Sequence, residues 1–183
     1  MARAYAVLTG IGTDRVGIVD DLSGAVADKG CNIEESKMAV LGGEFAVIML
    51  ISGPASSVES LCGSLPGKGE GMGLRIECRK TREPRISEQG RPYLLEAVSL
   101  DTPGIVHSVT AVLRAHAINI EDLETDTGAA PWTGAPMFRM KAHVIIGPAV
   151  SIARLREELA RLQQEHDLDI VLKPVFAAFS EGE

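Results

Sequence analysis

Two short loops carry the residue types in this sequence that could hold a small ligand. The first loop is Asp14-Arg15-Val16-Gly17-Ile18 and the second is Asp101-Thr102-Pro103-Gly104-Ile105, and each runs into a segment with helical spacing. A glycine at the start of a helix leaves backbone N–H groups open to an anion, and the positive end of the helix dipole favours the same charge. The aspartate can accept a hydrogen bond from an ammonium group. Each loop thus combines a place for an anion with an acceptor for an ammonium group. We therefore predict that the residues of the two loops bind a free amino acid.

Two asparagine–isoleucine pairs follow the loops at equal distances. Asn32-Ile33 and Asn119-Ile120 each begin 18 residues after the aspartate of their loop. We expect each pair to start the second strand of its module beside the loop. The two pairs are therefore included in the predicted ligand sites.

The same residues also have a purely structural interpretation. Asp14 and Asp101 would then cap helices, Pro103 would lie early in its helix, and the asparagines would satisfy turns. Helix caps are commoner than ligand sites, so the residue types alone favour this interpretation.

Motifs for metal binding and catalysis are not found in the sequence. No HxxxH spacing relates the four histidines, and His107, just after Gly104, is interpreted as a solvated residue of the first helical turn. The cysteines Cys31, Cys62 and Cys78 form no CxxC pair, and a reduced setting suits them best. GxSxG, Walker and dinucleotide-binding motifs are missing as well. We therefore predict a protein that is not an enzyme and holds neither a metal nor a cofactor.

The two loops belong to an internal repeat. The loops and the asparagine pairs recur at an offset of 87 residues, and Gly53-Pro54-Ala55 recurs as Gly147-Pro148-Ala149 at an offset of 94. The second copy has thus gained residues, and the stretch 128–136 (GAAPWTGAP) indicates a lengthened hairpin loop. Trp132 in this loop is interpreted as packing back on the sheet. We predict a first module at 1–80, a linker at 81–91, a second module at 92–175 and a tail at 176–183.

Each module is predicted to contain the elements of a βαββαβ fold. A β-rich run precedes each loop, and a segment with apolar residues at helical spacing follows it. Gly42-Gly43 separates two strands of a hairpin, and a second helix follows Pro54 and Pro148. In the first module this helix is expected over 57–65 only, with the glycine-rich stretch 63–73 as a flexible turn. The predicted fold class is α+β: two tandem ferredoxin-like modules with antiparallel sheets and helices on one face.

Composition argues against nucleic acid and membrane as partners. The net charge is -7, and acidic residues outnumber basic ones in both halves, so direct nucleic-acid binding is not expected. The first residues lack the apolar segment of a signal peptide, and the longest apolar run, 45–51, is too short to span a membrane. We expect a cytoplasmic protein. Since modules of about 75–80 residues bury little surface alone, we also expect the modules to pair and the chain to form a homodimer.

The loop pattern resembles the ACT domain, a βαββαβ module whose members bind amino acids or other small effectors at this loop. The shared features are Asp-x-x-Gly-Ile-Val after the first strand and Asn-Ile beyond it. The stretches 37–45 (KMAVLGGEF) and 135–140 (APMFRM) extend the likeness to paired ACT modules that regulate transcription, over almost the whole chain. The first copy departs from the commoner Asp-x-Pro-Gly loop, because Val16 stands where the second copy has Pro103. Whether both loops bind stays open.

The resemblance implies a regulator without its own DNA-binding domain. Such a protein modulates a transcription factor of glycine cleavage genes in answer to glycine or a similar small amino acid. The alternative is an allosteric regulatory subunit of an amino-acid metabolic enzyme, in which case the partner protein is that enzyme.

Overall fold

A computed structural model describes residues 3–83, 90–130 and 133–175 of the chain. The chain divides into two compact units, residues 1–85 and 86–183. Trp132, the tail 176–183 and most of the linker lie outside the described residues. The bounds given above for modules, linker and tail stay predictions.

The first unit is a four-stranded antiparallel sheet with two helices. Its strands lie in the order β2-β3-β1-β4, and all neighbouring strands are antiparallel. The elements in chain order are β1 (Arg3–Thr13), α1 (Ile18–Ala27), β2 (Asn32–Leu41), β3 (Glu44–Pro54), α2 (Ala55–Met72) and β4 (Leu74–Thr81). The hairpin predicted around Gly42-Gly43 joins β2 to β3.

The second unit repeats this arrangement. Its strand order is β6-β7-β5-β8, again antiparallel throughout. The elements in chain order are β5 (Arg91–Leu100), α3 (Ile105–Ala115), β6 (Asn119–Ala129), β7 (Pro136–Ile146), α4 (Ile152–His166) and β8 (Asp169–Pro174). The predicted fold class, two tandem ferredoxin-like modules, is confirmed.

Each unit has its own apolar core between one face of the sheet and the two helices. In β3, Phe45, Val47, Met49 and Ile51 are buried while alternate side chains face away, as the two-residue period of a strand requires. The helices contribute apolar stripes at three- and four-residue spacing. These stripes are Ile18, Leu22 and Val26 in α1, Ile105, Val109 and Leu113 in α3, and Leu155, Leu159 and Leu162 in α4.

The second helix of the first unit is longer than predicted. The stretch 63–73, expected to be a flexible turn, is helical as far as Met72, in spite of Pro66 and four glycines inside the helix. The buried stripe of α2 continues from Leu65 to Gly69. A Cβ at position 69 would lie 2.4 Å from the backbone oxygen of Leu74, so only glycine lets the helix approach β4 this closely. Local composition indicated a turn because this tertiary contact is invisible in it.

The cysteines also differ from expectation. Cys62 of α2 and Cys78 of β4 form a disulfide, so the expectation of reduced thiols is wrong for this pair. Cys31 is free and half-buried, and burial raises the pKa of its thiol. Among the helices that the structure describes, none is both long and apolar enough to cross a membrane.

Candidate functional site

Both predicted loops end in a glycine that begins a helix. Gly17 and Gly104 have φ values of 87° and 99°, a left-handed conformation that favours glycine, and they are the N-cap residues of α1 and α3. Within the described residues, neither helix start donates a backbone N–H to a capping side chain. The capping interpretation of Asp14 and Asp101 is therefore wrong, and Pro103 lies in the turn before α3 rather than in its first turn.

In each unit, a backbone hydrogen bond holds the loop against the β-hairpin of the same unit. The N–H of Asp14 donates to the carbonyl of Gly43 at 2.9 Å, and the N–H of Asp101 donates to that of Pro136 at 2.9 Å. The first intrahelical bonds run from Asp21 to Gly17 and from Ser108 to Gly104. The N–H groups before these points have no acceptor within their own helix and can face an anion.

The first loop borders an open cleft of 350 Å³ between α1 and the β2–β3 hairpin. Asp14, Gly17 and Ile18 line it together with Met38 and Phe45. Val16 takes no part, because its side chain points to solvent and is 99% exposed. Apolar side chains with a few charged ones, Asp14, Arg15 and Asp20, form a cleft of the kind that small ligands occupy.

Arg15 ties the first loop to its surroundings through three hydrogen bonds. Its Nε donates to the carbonyl of Met72 at 3.1 Å, its Nη1 to that of Val16 at 3.2 Å, and its Nη2 to Oδ2 of Asp21 at 2.5 Å. The guanidinium group is thus engaged within the protein rather than free for a ligand. We call these contacts of Arg15 with Met72 and Asp21 the latch. The first turn of α1 also carries two carboxylates, Asp20 and Asp21, which disfavour an anion there.

The second loop has no latch. At the positions of Arg15 and Asp21, 87 residues on, stand Thr102 and Ser108, and the first turn of α3 contains no acidic residue. Its cleft measures 580 Å³, and Asp101, Thr102, Gly104, Ile105, Val106, His107, Thr110 and Phe138 line it. Pro103 is exposed beside this cleft. An anionic group therefore meets fewer negatively charged side chains here than at the first loop.

The asparagine–isoleucine pairs do not lie beside the loops. Asn32 pairs with Ser52, which in turn pairs with Tyr5 near the start of β1. The loop follows Thr13 at the other end of β1, where the pairing partner is Glu44. About 25 Å of strand separates the two ends. Because α1 runs back along the sheet before β2 begins, β2 starts at the end of the sheet where β1 starts, with β3 between the two strands. The expected proximity is therefore wrong for Asn32-Ile33 and, by the same register, for Asn119-Ile120.

Asn32 instead belongs to a polar cluster at the start of β2. Oε1 of Glu34 accepts hydrogen bonds from Ser52 at 2.5 Å, Asn32 at 3.1 Å and Arg3 at 2.5 Å. The bond from the buried Ser52, followed by that from Asn32, lowers the pKa of Glu34 below its ordinary value. Ile146 replaces Ser52 in the second unit. The cluster thus fixes the chain start of the first unit and has no second-unit equivalent.

A long groove runs beside α3 in the second unit. Its volume is 800 Å³, and its lining includes His107, Thr110 and Arg114 on the helix and 118–120 at the start of β6. His107 and Thr110 also line the cleft of the second loop, so the groove connects that cleft with Asn119 and Ile120. Arg114 was not among the residues predicted from the sequence. The signal that could have indicated it is its seven-residue spacing from His107, which places both on one helix face.

Two further observations bear on other chemistry. Nε2 of His116 lies 3.1 Å from Oε2 of Glu158 but has no hydrogen-bond partner of good geometry within the described residues. Among residues 3–83, 90–130 and 133–175, no three histidine, cysteine, aspartate or glutamate side chains come close enough to hold a metal ion.

Comparisons with known proteins agree with this architecture. The family model of the ACT domain matches residues 4–79. The glycine cleavage system transcriptional repressor of Escherichia coli (strain K12) is 37% identical over 130 residues, which are 70% of this chain and 68% of the repressor. A solved structure of an unknown protein from Galdieria sulphuraria is 37% identical with a TM-score of 0.80, covering 96% of this chain and all of that one. A further structure, of a proposed repressor of the same kind, shares the fold at 24% identity, with a TM-score of 0.73 and coverage of 97% and 100% of the two chains.

Proposed function

The chain belongs to the family of glycine cleavage system transcriptional repressors, and we propose that it modulates transcription of glycine cleavage genes through a partner protein in answer to glycine or a similar amino acid. The likeness to the Escherichia coli repressor and to the ACT domain supports a regulator. The charge of -7 disfavours direct contact with nucleic acid, which is why a DNA-binding partner is part of the proposal.

We propose the second loop, Asp101 to Ile105, as the main effector site. The observation that supports this choice is the start of α3, where Gly104 begins the helix without a side-chain cap and the first turn contains no acidic residue. The amino-acid carboxylate would bind these N–H groups, and Asp101 would accept a hydrogen bond from the ammonium group. Thr102 and Pro103 shape the loop, and Ile105 anchors it in the core, where 4% of its surface is exposed.

The first loop, Asp14 to Ile18, is proposed as a weaker or inactive copy of this site. Two features support this ranking: Arg15 is engaged with Met72 and Asp21, and the carboxylates in the first turn of α1 disfavour an anion there. Asn32 and Ile33 are left out of the proposed site because they lie at the other end of the sheet. Asn119 and Ile120 join it only through the groove beside α3.

A thermal-shift series with free amino acids tests the proposal. A ligand at about 100 times its Kd stabilises the native state by about 2.7 kcal/mol and so raises the Tm. The series is run on the native chain and on the variants Gly104→Leu and Gly17→Leu, and each variant is compared with itself without ligand. We expect the shift to vanish in Gly104→Leu and to persist in Gly17→Leu.

Two results would contradict this assignment. No shift with any amino acid would exclude the effector site, and a shift that survives in both variants would place the ligand elsewhere. The partner is tested separately, by co-purification with tagged transcription factors and with enzymes of glycine metabolism. Retention of an enzyme instead of a transcription factor would favour an allosteric subunit.

A further inference from the structure

We propose that two copies of the chain associate through their first modules, sheet against sheet, by the face of the sheet that points away from α1 and α2. We call this surface the outer face of the first sheet. Its central residues, on β1 and β3, are Val7, Thr9, Ile11, Ala46, Ile48 and Leu50. The association goes beyond the proposed function, because amino-acid binding at the second loop does not depend on it.

The centre of the outer face is apolar although it is open to solvent. Side chains alternate along β3, so Ile48 points away from the core that Val47 enters. Ile48 is 49% exposed, and Ile11 on the neighbouring strand β1 is 46% exposed. Leu50 and its cross-strand neighbour Val7 are half-buried beside them. An apolar strip along the two central strands is typical of a sheet face that packs against a second sheet.

The same face of the second module is different, because its central strand β7 points charged and basic side chains outwards. Each of these lies opposite a carboxylate of β6 in the register of the sheet. The pairs are Arg139 with Asp126, Lys141 with Glu124 and His143 with Asp122. Of the two sheets that the structure describes, the first is therefore the one whose centre suits an apolar contact.

Charged side chains at the two edges of the outer face indicate how a second copy would lie. Glu35 on β2 and Arg79 on β4 belong to one row across the sheet. Lys37 and Glu77 belong to the next row, with the signs exchanged. The two edge strands lie about 14 Å apart, because two central strands separate them. A second copy that lays its β2 over this β4 would bring opposite charges together in both rows.

A two-fold axis parallel to the strands produces this arrangement. The axis lies between the two sheets and midway between β1 and β3. Rotation about it lays β2 over the second copy's β4 and β3 over its β1, while every row keeps its level. Glu35 then faces the second copy's Arg79, and Lys37 faces its Glu77. In the centre, the apolar side chains of β3 face those of β1.

The other two-fold axis in this plane, at right angles to the strands, is disfavoured by the same charges. Centred on the row of Thr9, it would lay β4 over the second copy's β4. Glu77 would then face Glu77, and Arg79 would face Arg75. Like charges in direct contact oppose association. The outer face thus complements itself in one orientation, which is why the proposed occupant is a second copy of the chain.

Charge-reversal variants of the full chain test the pairing, with the dissociation constant of the dimer measured by sedimentation equilibrium. Glu35→Arg and Arg79→Glu each create two symmetric contacts between like charges, and we expect each to weaken the dimer about tenfold or more. The double variant Glu35→Arg/Arg79→Glu exchanges the charges and should restore the dissociation constant of the native chain. A mixture of the two single variants should form heterodimers, because their charges complement each other.

Two further variants separate the outer face from general effects of charge. Arg161→Glu is the matched control for Arg79→Glu, since it makes the same change at an exposed position of α4 and should leave the dimer intact. Ile48→Lys alters an exposed side chain at the centre of the outer face and should abolish the dimer. Circular dichroism checks that every variant is folded.

Several results would overturn the proposal. A native chain that stays monomeric at every concentration would exclude the dimer. Single charge reversals without effect, or a double variant that associates no better than the single ones, would show that another surface is used, such as the edge of β2. Equal weakening by Arg161→Glu would reduce the effect to net charge. The thermal shift with amino acids is independent of all these results, so the two proposals can fail separately.

Discussion

Ala117 and Gly30 stand at the same point of the two modules, just after the first helix, and both adopt a left-handed backbone. Their φ values are 54° and 67°. This conformation costs a residue with a Cβ about 1–2 kcal/mol, whereas glycine adopts it freely. We therefore expect Ala117→Gly to raise the free energy of unfolding of the second module by about 0.5–1 kcal/mol, after the greater freedom of glycine in the unfolded chain is subtracted. Urea denaturation measures the change.

The reverse substitution, Gly30→Ala, is the matched control. A Cβ at position 30 would meet only Oγ of Ser57, at 4.0 Å, so no steric clash adds to the backbone cost. We expect this variant to lower the stability of the first module by about 1 kcal/mol. Destabilisation by Ala117→Gly would show that the left-handed backbone of Ala117 is not strained.

At the level of single residues, those features of the candidate site that depend on local conformation could be predicted from the sequence. Gly17 and Gly104 could be identified because a glycine before a helical segment has few other roles. The latch could not, since Arg15 bonds to Met72, 57 residues further along the chain. From the sequence, the difference between the two loops could be seen only in Val16, which stands where the second loop has Pro103. The larger difference lies in the contacts of Arg15.

Helix α2 depends on one glycine among several. Gly69 is buried, and a Cβ there would lie 2.4 Å from the backbone oxygen of Leu74. Gly69→Ala must push the helix away from β4, and we expect it to cost about 1–3 kcal/mol of stability. The measurement is the urea midpoint of the first module, followed by the exchange of its amide hydrogens.

Gly67→Ala separates this packing effect from helix propensity. Position 67 lies on the exposed side of the same helix, and no atom would come within 4 Å of a Cβ there. Alanine is the better helix former by about 1 kcal/mol, so this variant should be more stable than the native chain. Equal destabilisation by both substitutions would mean that the cost of alanine in α2 does not come from the close approach of the helix to β4.

The elements show why sequence predicted the fold better than the site. The repeat and its alternating strands determine the order of elements, and the ferredoxin-like fold follows from that order. The position of Asn32 follows from topology instead: equal spacing from Asp14 in both copies suggested proximity, but α1 carries the chain to the opposite end of the sheet. The length of α2 likewise depends on a contact between Gly69 and Leu74 that composition does not express.

At the scale of the whole molecule, duplication has produced two modules with separate cores. The buried residues fall into two clusters that share no member, one in each unit. Divergence has then acted on the surfaces, with Arg15 bound to Asp21 at the helix start of the first module and an open groove lined by Arg114 in the second. The proposed effector site assigns recognition to the second module and leaves the first module to contribute stability.

The disulfide gives this division a thermodynamic test, because Cys62 and Cys78 both lie in the first module. A bond that closes a loop of about 15 residues stabilises a protein by about 3 kcal/mol, chiefly by restricting the unfolded chain. Treatment with a thiol-free reductant should therefore destabilise the first module by about that amount and leave the second unchanged. Hydrogen exchange followed by mass spectrometry resolves the two modules, since peptides from β1–β4 and β5–β8 report on separate cores.

The double variant Cys62→Ala/Cys78→Ala should behave like the reduced chain, whereas Cys31→Ala should respond to reductant as the native chain does. Equal loss of protection in both modules would show that the modules unfold as one cooperative unit, and the proposed division of labour would then have no basis in stability.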